Sequence, residues 1–141
     1  MDPSPRQIKT RILPGQPHLK EESAPPCTVI IFGALGDLSK RKLIPALYNL
    51  YGDKDLPEHF SILGFNRDQK DDLEFREIHR KSTEMYSRRK PTEWESFGRK
   101  LHYVPGDFTR PEAYRSLKEK LEKVETEHHT KGNRIFYLAT P

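Results

Sequence analysis

Residues 28–51, TVIIFGALGDLSKRKLIPALYNLY, decide the fold because they join an apolar run, a loop with two glycines and a segment of helical apolar spacing. The run TVIIF is β-branched and aromatic without alternation, which is typical of a strand buried on both faces of a parallel sheet. The N–H groups at the start of the following helix have no intrahelical acceptor and carry partial positive charge. Strand, glycine turn and helix start in this order predict a site for a phosphate group.

Strand and helix patterns alternate along the rest of the chain. Further strands are predicted at residues 61–65, 101–104 and 135–139, and helical connections between strands imply right-handed crossovers. We therefore predict an α/β fold, a Rossmann-like doubly wound parallel sheet of about four strands in the order 3-2-1-4. Pro45 requires the first helix to begin near residues 38–41, since an earlier start predicts a kink. Thr109 is predicted to cap the last helix together with Glu112.

Proline content divides the chain into two parts. Residues 1–26 contain six of the twelve prolines and few apolar side chains, which predicts a disordered leader. This leader lacks the apolar core of a secretory signal, and its acidic residues disfavour an organelle transit peptide. Residues 27–141 are then the folded domain, and we expect a cytoplasmic location.

Composition excludes several classes of protein. No run approaches the roughly 18 apolar residues of a membrane span. The 25 basic and 21 acidic residues are mixed along most of the chain, so a net charge of +4 does not favour nucleic-acid binding. The single cysteine, Cys27, excludes an intramolecular disulfide, and the six histidines show no metal-ligand spacing. We therefore predict no metal site.

The loop at residues 33–39 follows the pattern G-x-x-G-x-x-S. Gly33 would allow the tight turn out of the strand, Gly36 would let the backbone approach a pyrophosphate, and the small Ser39 would let the helix sit close to the strand. This pattern alone is a weak signal, and an ordinary glycine turn between a strand and a helix remains an alternative.

The end of the second strand adds a preference among dinucleotides. Phe65 is followed by Asn66 and Arg67, and an arginine at this position favours a ribose 2′-phosphate, as in NADP, whereas an acid favours NAD. Asp68, one residue later, is an argument for NAD. Lys40 could add positive charge near the same phosphate, or could belong to an exposed first turn of the helix.

Four blocks, IFGALGDLSKRKL, ILGFNR, HYVPGDF and NRIFYLATP, resemble the glucose-6-phosphate dehydrogenase family in sequence and order. The resemblance implies oxidation of glucose 6-phosphate to a phosphogluconolactone with NADP, at the entry to the pentose phosphate pathway. It also implies that Arg67 holds the 2′-phosphate and that the loop residues Gly33, Ala34, Leu35, Gly36, Asp37, Leu38, Ser39 and Lys40 line the dinucleotide phosphates. The family commonly has Ser or Thr where this chain has Leu35, which removes a hydroxyl contact and predicts lower affinity.

The resemblance does not extend to catalytic residues. The family's catalytic histidine belongs to an RIDHYLGKE-type motif and a substrate-contacting lysine to an EKP-type segment, and neither occurs in this sequence. His102 lacks the preceding Arg-Ile-Asp, so we assign no catalytic residue. We expect an incomplete, amino-terminal NADP-binding domain without its substrate domain, inactive alone, with glucose 6-phosphate a partner only of a full-length enzyme. The alternative is a non-catalytic nucleotide-binding or partner-docking module, because the apolar strand at residues 135–139 would be exposed unless an oligomer or a missing half covered it.

Overall fold

The computed structural model describes residues 25–90 and 92–140. The predicted disordered leader lies outside the described residues, except for its last two positions. The strands and helices of the described part are β1 (Cys27–Phe32), α1 (Ile44–Gly52), β2 (Phe60–Asn66), α2 (Asp72–Tyr86), α3 (Trp94–Gly98), β3 (Leu101–Pro105), α4 (Pro111–His128) and β4 (Arg134–Leu138), with a π-helical turn at Ser39–Leu43 before α1.

The four strands form one parallel sheet in the order β3-β2-β1-β4. Val29 of β1 lies beside Ile62 of β2 and Ile135 of β4, and Gly64 of β2 lies beside Tyr103 of β3. The predicted α/β class and the predicted strand order 3-2-1-4 are both confirmed.

Helices cover both faces of the sheet, because neighbouring residues of a strand point to opposite sides. Ile31 and Ile62 point to one face, where they pack with residues of α1, α2 and α3. Ile30 and Leu63 point to the other face, where they pack against α4. The side chains that α4 buries there are Ala113, Leu117, Leu121 and Val124. Burial on both faces explains why the β1 sequence does not alternate.

The helix after β1 begins slightly earlier than predicted and is distorted. Helical backbone starts at Asp37, eight residues before Pro45. Instead of a kink, the chain forms a π-helical turn in which the N–H of Ile44 donates to the carbonyl of Ser39. Pro45 lacks an N–H and its ring collides with a carbonyl four residues earlier in a regular α-helix, so one extra residue in the turn relieves the conflict.

The predicted cap of α4 is wrong. Its N-cap residue is Arg110, which makes no side-chain capping bond. Thr109 instead donates its N–H and its hydroxyl to the Asp107 carboxylate, at 2.9 and 2.7 Å. Helical backbone begins only at Pro111, so Thr109 lies one residue before the N-cap position, and its hydroxyl bonds within the local turn instead.

Every residue of β4 is exposed, as expected for this strand. Leu138 is 71% exposed and Phe136 is 57% exposed. The edge of the sheet therefore presents an apolar surface in the described part of the chain. No helix in that part combines the length and the apolar character that crossing a membrane requires.

Candidate functional site

A cleft of about 410 Å³ lies at the carboxyl ends of the central strands. In a doubly wound sheet, ligands bind at this edge, where the strand order reverses, which here is between β1 and β4. The lining residues come from the ends of all four strands and are Gly33, Gly36, Asn66, Arg67, Asp107, Phe108, Thr109, Ala139 and Thr140. The cleft thus occupies the position at which this fold binds nucleotides.

The glycine loop is a closed turn fixed to the end of β2. Gly33 has φ = +88°, a backbone conformation that favours glycine, and its N–H donates to the carbonyl of Phe65 at 2.9 Å. The carbonyl of Gly33 accepts the N–H of Gly36 at 3.0 Å and the buried hydroxyl of Ser39 at 2.9 Å. Ser39 therefore closes the loop with a hydrogen bond as well as allowing close packing.

The start of the helix offers free hydrogen-bond donors. The N–H groups of Asp37 and Leu38 have no acceptor among residues 25–90 and 92–140. Both residues line a second depression, of about 560 Å³, which shares Gly36, Ala139 and Thr140 with the cleft. The oxygens of a bound phosphate would accept hydrogen bonds from these N–H groups, and its charge would interact with the positive end of the helix. The loop therefore fits a pyrophosphate group.

His79 is a site residue that the sequence analysis missed. It lies in α2, it is fully buried, and its Nε2 is 2.9 Å from the carbonyl of Ala34 in the glycine loop. Burial lowers the pKa of His79 to about 4, against the opposing effect of the Ala34 hydrogen bond. The ring is therefore neutral near pH 7, and its Nε2–H donates to the loop.

The sequence signal for His79 was its spacing, four residues after Phe75 and four before Thr83. These three residues form the buried face of α2. Metal-ligand spacing and the family's catalytic motif, the two patterns considered for the histidines, do not indicate a buried structural role. Leu73 and Met85, two other apolar residues of the same helix, are more than 70% exposed.

Acidification is expected to destabilise the domain through His79. A histidine with a lowered folded-state pKa is protonated more readily in the unfolded chain, so its stabilising contribution is lost as the pH falls from about 6.5 towards 4. We expect a loss of about 2 kcal/mol between pH 7 and pH 5 from this residue. Urea unfolding at the two pH values measures the loss.

The variant His79→Gln cannot titrate and should unfold with a weaker pH dependence. Part of the pH dependence of the unfolding free energy should remain in this variant, because burial and the neighbouring His102 also lower the pKa of His128 to about 4. An unchanged pH dependence in His79→Gln would contradict this interpretation.

Arg67 extends into solvent at the rim of the cleft. Its side chain is 72% exposed, and its guanidinium lies 3.6 Å from the carboxylate of Asp107. Hydrogen bonds from the N–H and hydroxyl of Thr109, and then the charge of Arg67, hold the pKa of Asp107 below its usual value. Asp68 does not line the cleft, and its carbonyl accepts the Tyr103 hydroxyl at 2.6 Å. The acid nearest to Arg67 in this cleft therefore comes from the loop after β3, which sequence reasoning did not consider.

The structure separates the other predicted site residues into two groups. The side chains of Ala34 and Ser39 are fully buried. Leu35 packs on the hydrophobic core, and its N–H lies 3.4 Å from Oδ1 of Asn66. Lys40 lines a separate depression beside α2. Of the predicted residues, the structure brings Gly33, Gly36 and Arg67 together around one cleft, with Asp37 and Leu38 adjoining it.

A doubly wound parallel sheet with a glycine turn, a helix start and an arginine after its second strand defines a dinucleotide-binding domain. Residues 30–141 match the family model described as "Glucose-6-phosphate dehydrogenase, NAD binding domain". The chain belongs to the glucose-6-phosphate dehydrogenase family, and the matched residues correspond to the amino-terminal domain of that family.

Named relatives agree with this assignment. The chain is 43% identical over 122 residues to glucose-6-phosphate 1-dehydrogenase of Chlamydia muridarum, covering 84% of this chain and 24% of the relative. It is 37% identical over 111 residues to the protein of the same name from Leuconostoc mesenteroides, covering 79% of this chain and 23% of that protein. The chain therefore spans about a quarter of the length of these relatives.

A solved structure shares the fold. The structure, of a glucose-6-phosphate dehydrogenase in complex with its substrate glucose-6-phosphate, superposes with a TM-score of 0.73 at 29% identity. The match covers 87% of this chain and 26% of the solved one. The four-stranded sheet and its flanking helices are thus those of this family.

Proposed function

We propose that residues 27–141 bind NADP as the cofactor domain of an enzyme that oxidises glucose 6-phosphate to a phosphogluconolactone, the first step of the pentose phosphate pathway. The observation that carries this proposal is the shared cleft of Gly33, Gly36 and Arg67. The family supports a nicotinamide dinucleotide and an oxidoreductase of glucose metabolism. The choice of NADP rests on Arg67.

Two sets of hydrogen-bond donors at the cleft suit different parts of the dinucleotide. The free N–H groups after Gly36 suit the pyrophosphate, because they are fixed donors at a positive helix end. The guanidinium of Arg67 suits a 2′-phosphate, because planar guanidinium groups form paired charged hydrogen bonds with phosphates. Asp107 would repel the same phosphate, so Arg67 must exchange its pairing with Asp107 for the cofactor.

We also propose that this chain alone does not turn over glucose 6-phosphate. A general base has to lie within hydrogen-bond reach of the proton that it removes. Among the described residues that line the cleft there is no histidine, and His102 instead contacts Asp72 and His128. In the family, the catalytic motif belongs to segments that this sequence does not contain.

The test compares two nucleotides that differ by a single group. Adenosine 2′,5′-bisphosphate and AMP are titrated into the 141-residue chain by calorimetry, and NADP and NAD follow. We expect the 2′-phosphate to strengthen binding by about tenfold or more, because charged hydrogen bonds contribute about 1.5–3 kcal/mol. We also expect no NADPH absorbance when glucose 6-phosphate and NADP are mixed with the chain.

Each outcome of this test has a clear meaning. Equal affinity for the two nucleotides would contradict the choice of NADP, and turnover would contradict the proposed inactivity. Binding of neither nucleotide would favour the second candidate, a docking module. That candidate is supported by the exposed apolar residues of β4, which a larger protein or an oligomer would cover.

A further inference from the structure

Two histidines distant in sequence meet on the β3 side of the sheet. Nε2 of His102, in β3, lies 2.9 Å from Nε2 of His128, at the end of α4. A carboxylate oxygen of Glu127 lies 3.5 Å from Nε2 of His128. The three residues each offer one ligand atom, and these three atoms all lie within 4.8 Å of one another.

The ring orientation of His102 is fixed by the group behind it. Nδ1 of His102 is 3.0 Å from Oδ2 of Asp72, whose other oxygen accepts the N–H of Tyr103 at 2.8 Å. Lys120 donates to both oxygens of the same carboxylate. Because this carboxylate accepts from several donors, His102 donates Nδ1–H to it and presents the lone pair of Nε2 to His128.

This arrangement is the one that positions histidine ligands in metal sites. A metal-bound histidine usually donates its second ring N–H to a carboxylate or a carbonyl, which sets the ring orientation and increases the basicity of the ligand nitrogen. Zn–N bonds of about 2.0–2.1 Å at tetrahedral angles place two ligand nitrogens roughly 3.3 Å apart. From their present distance the two Nε2 atoms need to separate by only a few tenths of an ångström, and the rings, whose centroids are 5.0 Å apart, need to turn so that both lone pairs point at the ion.

We propose that His102, His128 and Glu127 bind one Zn²⁺, with water as the fourth ligand and Asp72 as the residue that orients His102. In the absence of metal, the proton on Nε2 of His128 lies between the two nitrogens. When the ion replaces it, the neutral His128 ring carries its proton on Nδ1, so the ring changes tautomer and the number of bound protons is unchanged. Imidazole ligands suit Zn²⁺ and disfavour Mg²⁺ and Ca²⁺, which prefer oxygen.

The surrounding charges affect the affinity in both directions. Lys100, Arg76 and Lys120 are positive groups near the cluster and oppose a cation. Asp72 and Glu127 are negative, and the carboxyl end of α4, whose last residue is His128, carries partial negative charge. None of the three ligand residues lines the cleft at the glycine loop, so the metal would join α4 to β3 without entering the nucleotide site.

Calorimetric titration of the chelator-treated 141-residue chain with Zn²⁺ tests the proposal. We expect one ion per chain, a thermal unfolding midpoint that rises with Zn²⁺, and a tetrahedral absorption spectrum when Co²⁺ is substituted. His128→Gln should lower the affinity by about tenfold or more, because even residues that only orient a ligand cost 10–100-fold when lost. Glu127→Gln should also weaken binding, and its exposed side chain makes it a variant that folds normally.

His59→Gln is the matched control. His59 packs edge-on against His129, with ring centroids 5.6 Å apart, and this second histidine pair is not part of the proposed site. Zn²⁺ affinity should be unchanged in this variant. The proposal would be overturned if the wild-type chain bound Zn²⁺ no more tightly than His128→Gln does, if His59→Gln lost binding, or if Mg²⁺ produced an equal response. The His102–His128 contact would then be a structural hydrogen bond.

Discussion

Gly33→Ala is expected to destabilise the domain by about 3 kcal/mol and to weaken nucleotide binding by more than tenfold. Gly33 has φ = +88°, a conformation that costs an alanine about 1–2 kcal/mol. A Cβ at this position would lie 3.0 Å from the carbonyl carbon of Ala139 and 3.0 Å from Cγ2 of Thr140. Ala139 cannot move away easily, because its N–H donates to the carbonyl of Phe32 at 2.8 Å. Overpacking of this kind costs about 1–3 kcal/mol more.

Gly132→Ala is the matched control for the steric part of this effect. Gly132 also has a positive φ, of +75°, but a Cβ there would meet no atom within 4 Å. Its cost should therefore be the conformational part alone, about 1–2 kcal/mol, with nucleotide binding unchanged. Urea unfolding and calorimetry with adenosine 2′,5′-bisphosphate measure both variants. Equal destabilisation by the two substitutions would show that the approach of Ala139 and Thr140 does not constrain the loop.

Arg67→Ala is expected to reduce affinity for adenosine 2′,5′-bisphosphate by about ten- to hundredfold, while affinity for AMP changes little. The expected loss corresponds to charged hydrogen bonds worth about 1.5–3 kcal/mol. The side chain is mostly exposed, so the substitution should leave the stability of the fold nearly unchanged. Asp107 would then lie beside the phosphate without its partner, which adds repulsion. Calorimetry with the two nucleotides measures the selectivity directly.

Arg88→Ala removes the same charge far from the cleft. Arg88 is 64% exposed and pairs with Asp53 at 2.8 Å, and neither residue lines the cleft. This variant should retain the preference for the 2′-phosphate. If Arg88→Ala and Arg67→Ala weakened binding of the bisphosphate equally, net charge would explain the effect, and Arg67 would not contact the 2′-phosphate.

Local patterns were sufficient for the sheet but not for the ends of the helices. The β-branched, non-alternating β1 predicted burial on both faces, and Ile30 and Ile31 are indeed fully buried on opposite sides. The predicted cap of α4 was wrong because the helix begins one residue later than the Thr109 pattern implies, and Thr109 forms a local turn with Asp107 instead. The choice between a helix cap and a local turn depends on side-chain geometry and leaves no periodic pattern in the sequence.

In the candidate site too, local features could be predicted from the sequence and long-range contacts could not. Its glycine turn is local, so the spacing of Gly33 and Gly36 was enough to predict it. The support by His79 depends on a contact across 45 residues, and the pairing of Arg67 with Asp107 on one across 40. Neither contact has a signal in the spacing along the chain, because each arises where elements that are separate in sequence pack together.

By itself, the sequence determined the α/β class, the strand order, the glycine turn and the resemblance to a family, since these follow from local periodicity and contiguous motifs. Only the tertiary structure showed that Lys40 lies apart from the cleft, that a buried neutral His79 holds the loop, and that His102 meets His128. The physical reason is the range of the interactions. Backbone preferences act between neighbouring residues, whereas hydrogen bonds and ion pairs act between whichever side chains the packing brings within about 3 Å.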